Sequence, residues 1–138
     1  MSRPTPLGPD SLTWRYFGDW RGLLLALWAG SMQNMHPQLG AGVEEHSRFF
    51  DERWERLFRS LYPIGGVVYD GPRAEQTARQ VRAYHNGIKG VDKHGRPYHA
   101  LNPDTYFWAH ATFLVMPIII NEHFGTPLTE QEKAQVYA

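Results

Sequence analysis

The run Asp51-Glu52-Arg53-Trp54-Glu55-Arg56-Leu57-Phe58-Arg59-Ser60-Leu61-Tyr62 decides how the rest of the chain is read. Its apolar residues Trp54, Leu57, Phe58, Leu61 and Tyr62 fall at i, i+3, i+4, i+7 and i+8. That spacing is one stripe of an α-helix, whereas a half-buried strand would alternate at every second position. The stripe predicts a helix over 52–62 with Trp54, Leu57, Phe58 and Leu61 in the core. Arg53, Arg56 and Arg59 recur every three residues and so drift around its flank. Pro63 and Gly65-Gly66 disturb this helix, with Val67–Tyr69 as its continuation beyond a kink.

The segments on either side read as helices too. Asp70-Gly71-Pro72 is a turn, and a second amphipathic helix is expected over 74–89. Ala78, Val81, His85 and Ile88 share one of its faces, and Gly90 is its stop signal. His94-Gly95-Arg96-Pro97 marks a tight turn, so residues 91–100 hold at most one small hairpin. Asn102-Pro103-Asp104 combines a cap, a proline at the first position and an acid in the first turn, opening a helix to about Phe124. Thr129-Glu130-Gln131-Glu132 is a capping box for a further helix. That helix reaches Ala138 without a C-cap, so residues 1–138 are expected to form a single helical domain that is the N-terminal portion of a longer one. Toward the N-terminus, the first nine residues, with three prolines and a glycine, read as an extended arm. Asp10 or Ser11 caps a short helix to about Gly18. Residues 20–35 form a very apolar helix interrupted or ended near Gly30. Residues 36–42 read as a loop and 44–50 as a helical turn or two. The fold class is therefore all-α, a helical bundle.

Composition narrows the function. A length of 138 residues suits one domain. The aromatic share is high, 14% with five Trp, which fits a large core or an apolar ligand pocket. Fourteen Lys and Arg balance fourteen Asp and Glu, with no basic block, so nothing points to a nucleic-acid partner. The absence of cysteine excludes disulfides, thiolate zinc sites, iron–sulfur clusters, covalently attached haem and cysteine nucleophiles. The N-terminal Met1-Ser2-Arg3-Pro4-Thr5-Pro6 lacks the charged-then-apolar layout of a secretory signal. The apolar runs 23–29 and 111–120 fall well short of the roughly 20 residues needed to span a bilayer. The expectation is a cytoplasmic protein with no membrane span.

Several catalytic signatures are missing: HExxH, a phosphate-binding glycine loop, a Gly-x-Ser-x-Gly elbow and paired Glu-x-x-His motifs. Seven histidines remain, and two stand on apolar helix faces. His85 lies with Val81, Ala78 and Ile88, and is expected to point inward. His110 lies among Tyr106, Phe107, Trp108, Phe113 and Leu114. Such a histidine is either a hydrogen-bonded core residue or the axial ligand of non-covalent haem. Arg56-x-x-Arg59-Ser60 is similarly two-sided. It is a solvated face with arginine stems over the core, or a polar cluster that binds propionates and polarises dioxygen. A metal site on His94 and His99 in the hairpin is a weaker option.

Four blocks carry a family resemblance. They are Arg56-Leu57-Phe58-Arg59-Ser60, then the run from Arg79 through Val81-Arg82-Ala83-Tyr84-His85 to Gly90, then Tyr98-His99-Ala100-Leu101-Asn102-Pro103-Asp104, and Trp108-Ala109-His110-Ala111. In this order they resemble the rubber-oxygenase-like domain of bacterial latex clearing proteins and of a fungal oxygenase of mycophenolic acid biosynthesis. The resemblance covers nearly the whole chain. It implies an all-helical fold with a globin-like core holding haem b, with His85 as the iron ligand. Arg56, Arg59 and Ser60 would form the distal side, a serine standing where the family has threonine, with Arg56 also able to anchor a propionate. His110 would sit beside the cofactor as a supporting or packing residue. The implied activity is a haem-b-dependent oxygenase acting with dioxygen on a small apolar, isoprenoid-like substrate. The alternative is a truncated or degenerate non-enzymatic helical module. It would need a partner, a homo-oligomer or further helices after Ala138 to cover its apolar surface.

Overall fold

The structure is a computed structural model and describes residues 6–137; residues 1–5 of the expected arm lie outside the described residues. Helix α1 (Leu12–Phe17) begins at Ser11, whose hydroxyl accepts the Trp14 N–H at 3.1 Å. The apolar stretch that follows is not one helix. A 3₁₀ segment (Trp20–Leu25) capped by Asp19 leads into α2 (Ala26–Asn34), and Gly30 lies inside α2 rather than ending it.

The expected loop over 36–42 is instead the start of helix α3 (Pro37–His46). Pro37 sits in the first turn, where its missing N–H leaves no bond unmade. The glycines read as loop signals serve close approach. A Cβ on Gly40 would lie 2.6 Å from the Asn34 carbonyl oxygen, and one on Gly42 would lie 3.2 Å from Ile88 Cγ2.

Helix α4 (Arg53–Tyr69) runs straight through Pro63 and the glycine pair. A turn at Gly71–Arg73, with Gly71 at φ +55°, reverses the chain into α5 (Ala74–Tyr84), which packs back along α4. Thr77 Oγ1 donates to Asp70 Oδ2 at 2.5 Å, and a Cβ on Gly66 would press on both residues. Helix α5 stops at Tyr84, five residues short of the expected end. His85 is its C-cap, and the chain turns through Asn86-Gly87.

The small hairpin is present. Strands β1 (Lys89–Val91) and β2 (Pro97–His99) pair antiparallel, with Gly90 opposite Tyr98. Asp92 Oδ1 accepts the N–H groups of His94 and Arg96 at 2.8 and 2.9 Å, and Gly95 takes φ +78°. Tyr98 is buried, and its hydroxyl donates to Glu45 Oε2 at 2.5 Å while lying 3.1 Å from His46 Nε2. These bonds fasten the hairpin to α3.

Helix α6 (Pro103–Phe124) opens at Asn102, whose side-chain oxygen accepts the Asp104 and Thr105 N–H groups. It packs against the 3₁₀ segment, α1, α2, α3 and α7 (Glu130–Tyr137), and so forms the central column. The Thr129–Glu132 capping box closes reciprocally, Thr129 N–H to Glu132 Oε2 and Glu132 N–H to Thr129 Oγ1. The fold is all-α, with seven α-helices and one two-stranded sheet among the described residues.

The core is small: Ala29, Ala41, Val68, Ala74, Tyr98, Ile120, Leu128 and Val136, with only Ile120 nearly sealed at 1% exposure. Here the expectation for α4 fails. Trp54 is 71% exposed and Phe58 50%, Leu61 is exposed, and Leu57 is half-buried. The helix buries its other end instead. Val68 is in the core, and Tyr69 packs edge-on against Trp14 at 5.0 Å while donating to the Trp14 carbonyl. The accessible surface is 9793 Å². A compact monomer of 15.9 kDa would expose about 7,400 Å². The stripe is genuine helix periodicity, facing a side of α4 that no described element covers.

Candidate functional site

His85 sits where α5 ends, and its half-buried ring is held from two sides. Nδ1 lies 2.7 Å from the Val81 carbonyl oxygen, one helical turn earlier. A carbonyl can only accept, so Nδ1 carries a proton, and in the neutral ring the lone pair is on Nε2. On the other side the ring meets Tyr106 of α6 at right angles, centroids 6.2 Å apart. The inward orientation expected for His85 is thus met only in part.

His110 repeats the arrangement one turn along α6. Its Nδ1 lies 2.9 Å from the Tyr106 carbonyl oxygen, and its ring is 4.5 Å from the Tyr106 ring. The side chain is exposed, contrary to its expected place in an apolar interior. Period reasoning failed because α6 is apolar all round, and a helix of that kind does not say which side faces out. Tyr106 therefore stands between the two imidazoles. It was legible only as the residue four before His110, one aromatic among several.

The arginine cluster lies on the N-terminal half of α4, the helix against which α5 packs. Its members are tied locally. Arg56 Nε donates to Ser47 Oγ at 2.7 Å, and the guanidinium lies 5.6 Å from the centre of the Phe49 ring. Burial, and then the neighbouring Arg59 charge, lower its pKa, yet a guanidinium stays charged at any ordinary pH. Arg59 is exposed and pairs with Glu52 at 2.8 Å, which together with Arg48 keeps the Glu52 carboxyl below its ordinary range. Ser60 is half-buried next to it. No hydrogen bond or ion pair joins Arg56, Arg59 or Ser60 to His85 or His110 among the described residues.

An open cleft of about 510 Å³ lies at the mouth between α5 and α6, lined by Arg82, Leu101, Pro103, Tyr106, Phe107 and His110. A larger depression of about 770 Å³ near Trp20 and Tyr69 contains none of the expected site residues. His94 lies in the exposed hairpin turn and His99 on β2. No cluster of three or more potential ligands able to hold a bare metal ion occurs among the described residues. A haem iron makes no such demand, since the porphyrin supplies four nitrogens and the protein one imidazole.

A family model described as "ER-bound oxygenase mpaB/B'/Rubber oxygenase, catalytic domain" matches residues 14–138. The chain belongs to this family. Nearly all of the chain falls within the match, including all four blocks that carry the resemblance. The membership makes it an oxygenase catalytic domain, and the non-enzymatic alternative is not favoured. No curated protein matches the chain, and no solved structure does either. Among the described residues no helix is long and apolar enough to cross a membrane.

Proposed function

We propose that this rubber-oxygenase-type domain is a haem-b-dependent oxygenase, with His85 as the axial ligand and an apolar compound as substrate. The observation that carries the reading is the His85 imidazole, whose Nδ1–H is spent on the Val81 carbonyl while Nε2 is left free. A hydrogen bond of this kind fixes the ring and raises the basicity of the opposite nitrogen, the usual preparation of a metal-ligating histidine. This bonding of His85 supports the cofactor that the family implies. Haem, when bound, supplies the activation of dioxygen.

The remaining roles belong to side chains. Tyr106 restricts the His85 ring by its perpendicular contact. Arg56, Arg59 and Ser60 are the proposed distal group, where positive charge and a hydroxyl donor favour electron density developing on oxygen. Arg56 is braced by Ser47 and Phe49, so its placement is set by packing. Arg59 would exchange its exposed Glu52 partner for the distal side, and exposed ion pairs are weak ties. The apolar character of the substrate is extended from the rubber oxygenases in the family description.

Hemin titration tests the proposal. The chain should develop a Soret band, His85→Ala should lose it, and His110→Ala should keep it. Loss in His110→Ala with retention in His85→Ala would move the ligand to α6. Circular dichroism of both variants separates ligand loss from unfolding.

A further inference from the structure

The cleft between α5 and α6 carries Arg82, Leu101, Pro103 and Phe107, to which the oxygenase reading gives no role. Its floor and rim are apolar, with Leu101, Pro103, Tyr106 and Phe107, the last 70% exposed. Its polar edge carries two nitrogen bases and no acid. Arg82 has no carboxylate partner among the described residues, whereas Arg79, one turn earlier, is paired with Glu75. His110 has its Nδ1–H on the Tyr106 carbonyl, and among the described residues its Nε2 has no partner.

We propose that this cleft binds a small amphipathic carboxylate, the acid group on Arg82 and His110 and the hydrocarbon body on Phe107, Leu101 and Pro103. Size and charge choose this occupant. The volume lies within the range of small-molecule sites, about 300–1,000 Å³. A lone guanidinium beside an apolar rim suits a planar anion carried on a hydrocarbon. The carboxylate could belong to a free aliphatic acid or to a porphyrin propionate, and the two sources are separable.

The bonding of His110 supplies a signature. With Nδ1–H committed to the Tyr106 carbonyl, Nε2 can donate to a carboxylate only as the imidazolium. The titratable groups lining the cleft are Arg82 of α5 with Tyr106 and His110 of α6, and His85 touches Tyr106 from the α5 side.

The test titrates the haem-free full chain with octanoate and, as the uncharged control, 1-octanol. Heat of binding and the His110 ring resonances are followed together. Octanoate should bind tighter than octanol and shift the His110 resonances. Arg82→Gln should weaken octanoate about fivefold and leave octanol unchanged, which also certifies the variant as folded. Equal binding of octanoate and octanol, silent His110 resonances, or indifference of octanoate to Arg82→Gln would each overturn the proposal. Hemin and its dimethyl ester then name the source. Displacement of octanoate by hemin but not by the ester assigns the carboxylate to the porphyrin, and undiminished octanoate binding to hemin-loaded chain assigns it to a separate acid. The octanoate measurements need no haem, so they stand or fall apart from the ligand role of His85.

Discussion

Individual side chains in this protein differ sharply in what they contribute, and burial decides it more than hydrophobicity. Ile120 is almost fully enclosed where α6 forms the central column. Ile120→Ala should cost about 2–5 kcal/mol, the cost of lost burial plus a cavity that the surrounding helices cannot close. Trp54 is larger and more apolar but points to solvent. Trp54→Ala should change stability by about 0.5 kcal/mol or less. Urea unfolding of the two variants side by side checks both values. A large loss for Trp54→Ala would put the stripe of α4 back in the core. His85 shows the same principle from the chemical side, because a free imidazole lone pair matters only once Val81 has fixed which nitrogen holds it.

At the scale of elements, ends and turns carry the local information. Asn102 satisfies two N–H groups at the start of α6, the helix on which most of the bundle packs. Asn102→Ala should lower stability by about 0.5–2 kcal/mol, read as a shift in the urea midpoint at unchanged slope. The hairpin turn depends on Asp92. Bonds from the Arg96 backbone and side chain, and from the His94 backbone, lower its carboxyl from 3.8 to about 2. A depressed carboxyl stabilises the turn above its unfolded pKa, and the contribution is lost as pH falls through the folded value. The His94 and Arg96 amides should therefore exchange faster as pH drops from about 4 to about 2, beyond the intrinsic pH trend. Asp92→Asn should remove this pH dependence, and a turn that loosens equally in wild type and variant would contradict the assignment. At the opposite side of the hairpin, the hydrogen bond to Glu45, with burial, pushes the Tyr98 hydroxyl up to about 12. The hydroxyl therefore keeps its proton through the ordinary tyrosine range, and its contribution to the anchor is lost only as pH rises through the folded value.

Taken whole, the molecule is an open arrangement around α6. Trp20, Leu24, Leu27, Met35, Phe50 and Trp54 are all well exposed, and the total surface exceeds that of a compact monomer by about a third. Isolated surface apolar residues are ordinary, but this many offer apolar surface to which apolar probes bind. The chain should bind an anilinonaphthalene dye strongly under native conditions, with cooperative thermal unfolding still present. Leu27→Gln with Trp54→Gln should reduce the dye signal without lowering the melting temperature. A dye signal that rises only as the protein unfolds would show that these residues are covered in solution.

Local chemistry in the sequence determined most of the architecture. The Ser11 and Asn102 caps, the Thr129–Glu132 box and the Gly95 turn act between residues a few positions apart, and the hairpin and all-α class follow from them, whereas the stop expected before Gly90 came five residues early, at Tyr84. The blocks around Arg56, His85, Tyr98 and Trp108 likewise carried the family, because motif order is written along the chain. Tertiary structure alone decided which faces are covered. Periodicity shows that Trp54, Phe58 and Leu61 share a side of α4, but not whether anything lies against it. Tertiary packing also turned Gly40 and Gly42 from loop signals into close-packing residues of α3. It set Tyr106 between His85 and His110, and among the described residues it left Arg82 without an acid at the mouth of a cleft. Those relations join residues far apart in sequence, and they depend on where whole helices settle once the small core around Ile120 has formed.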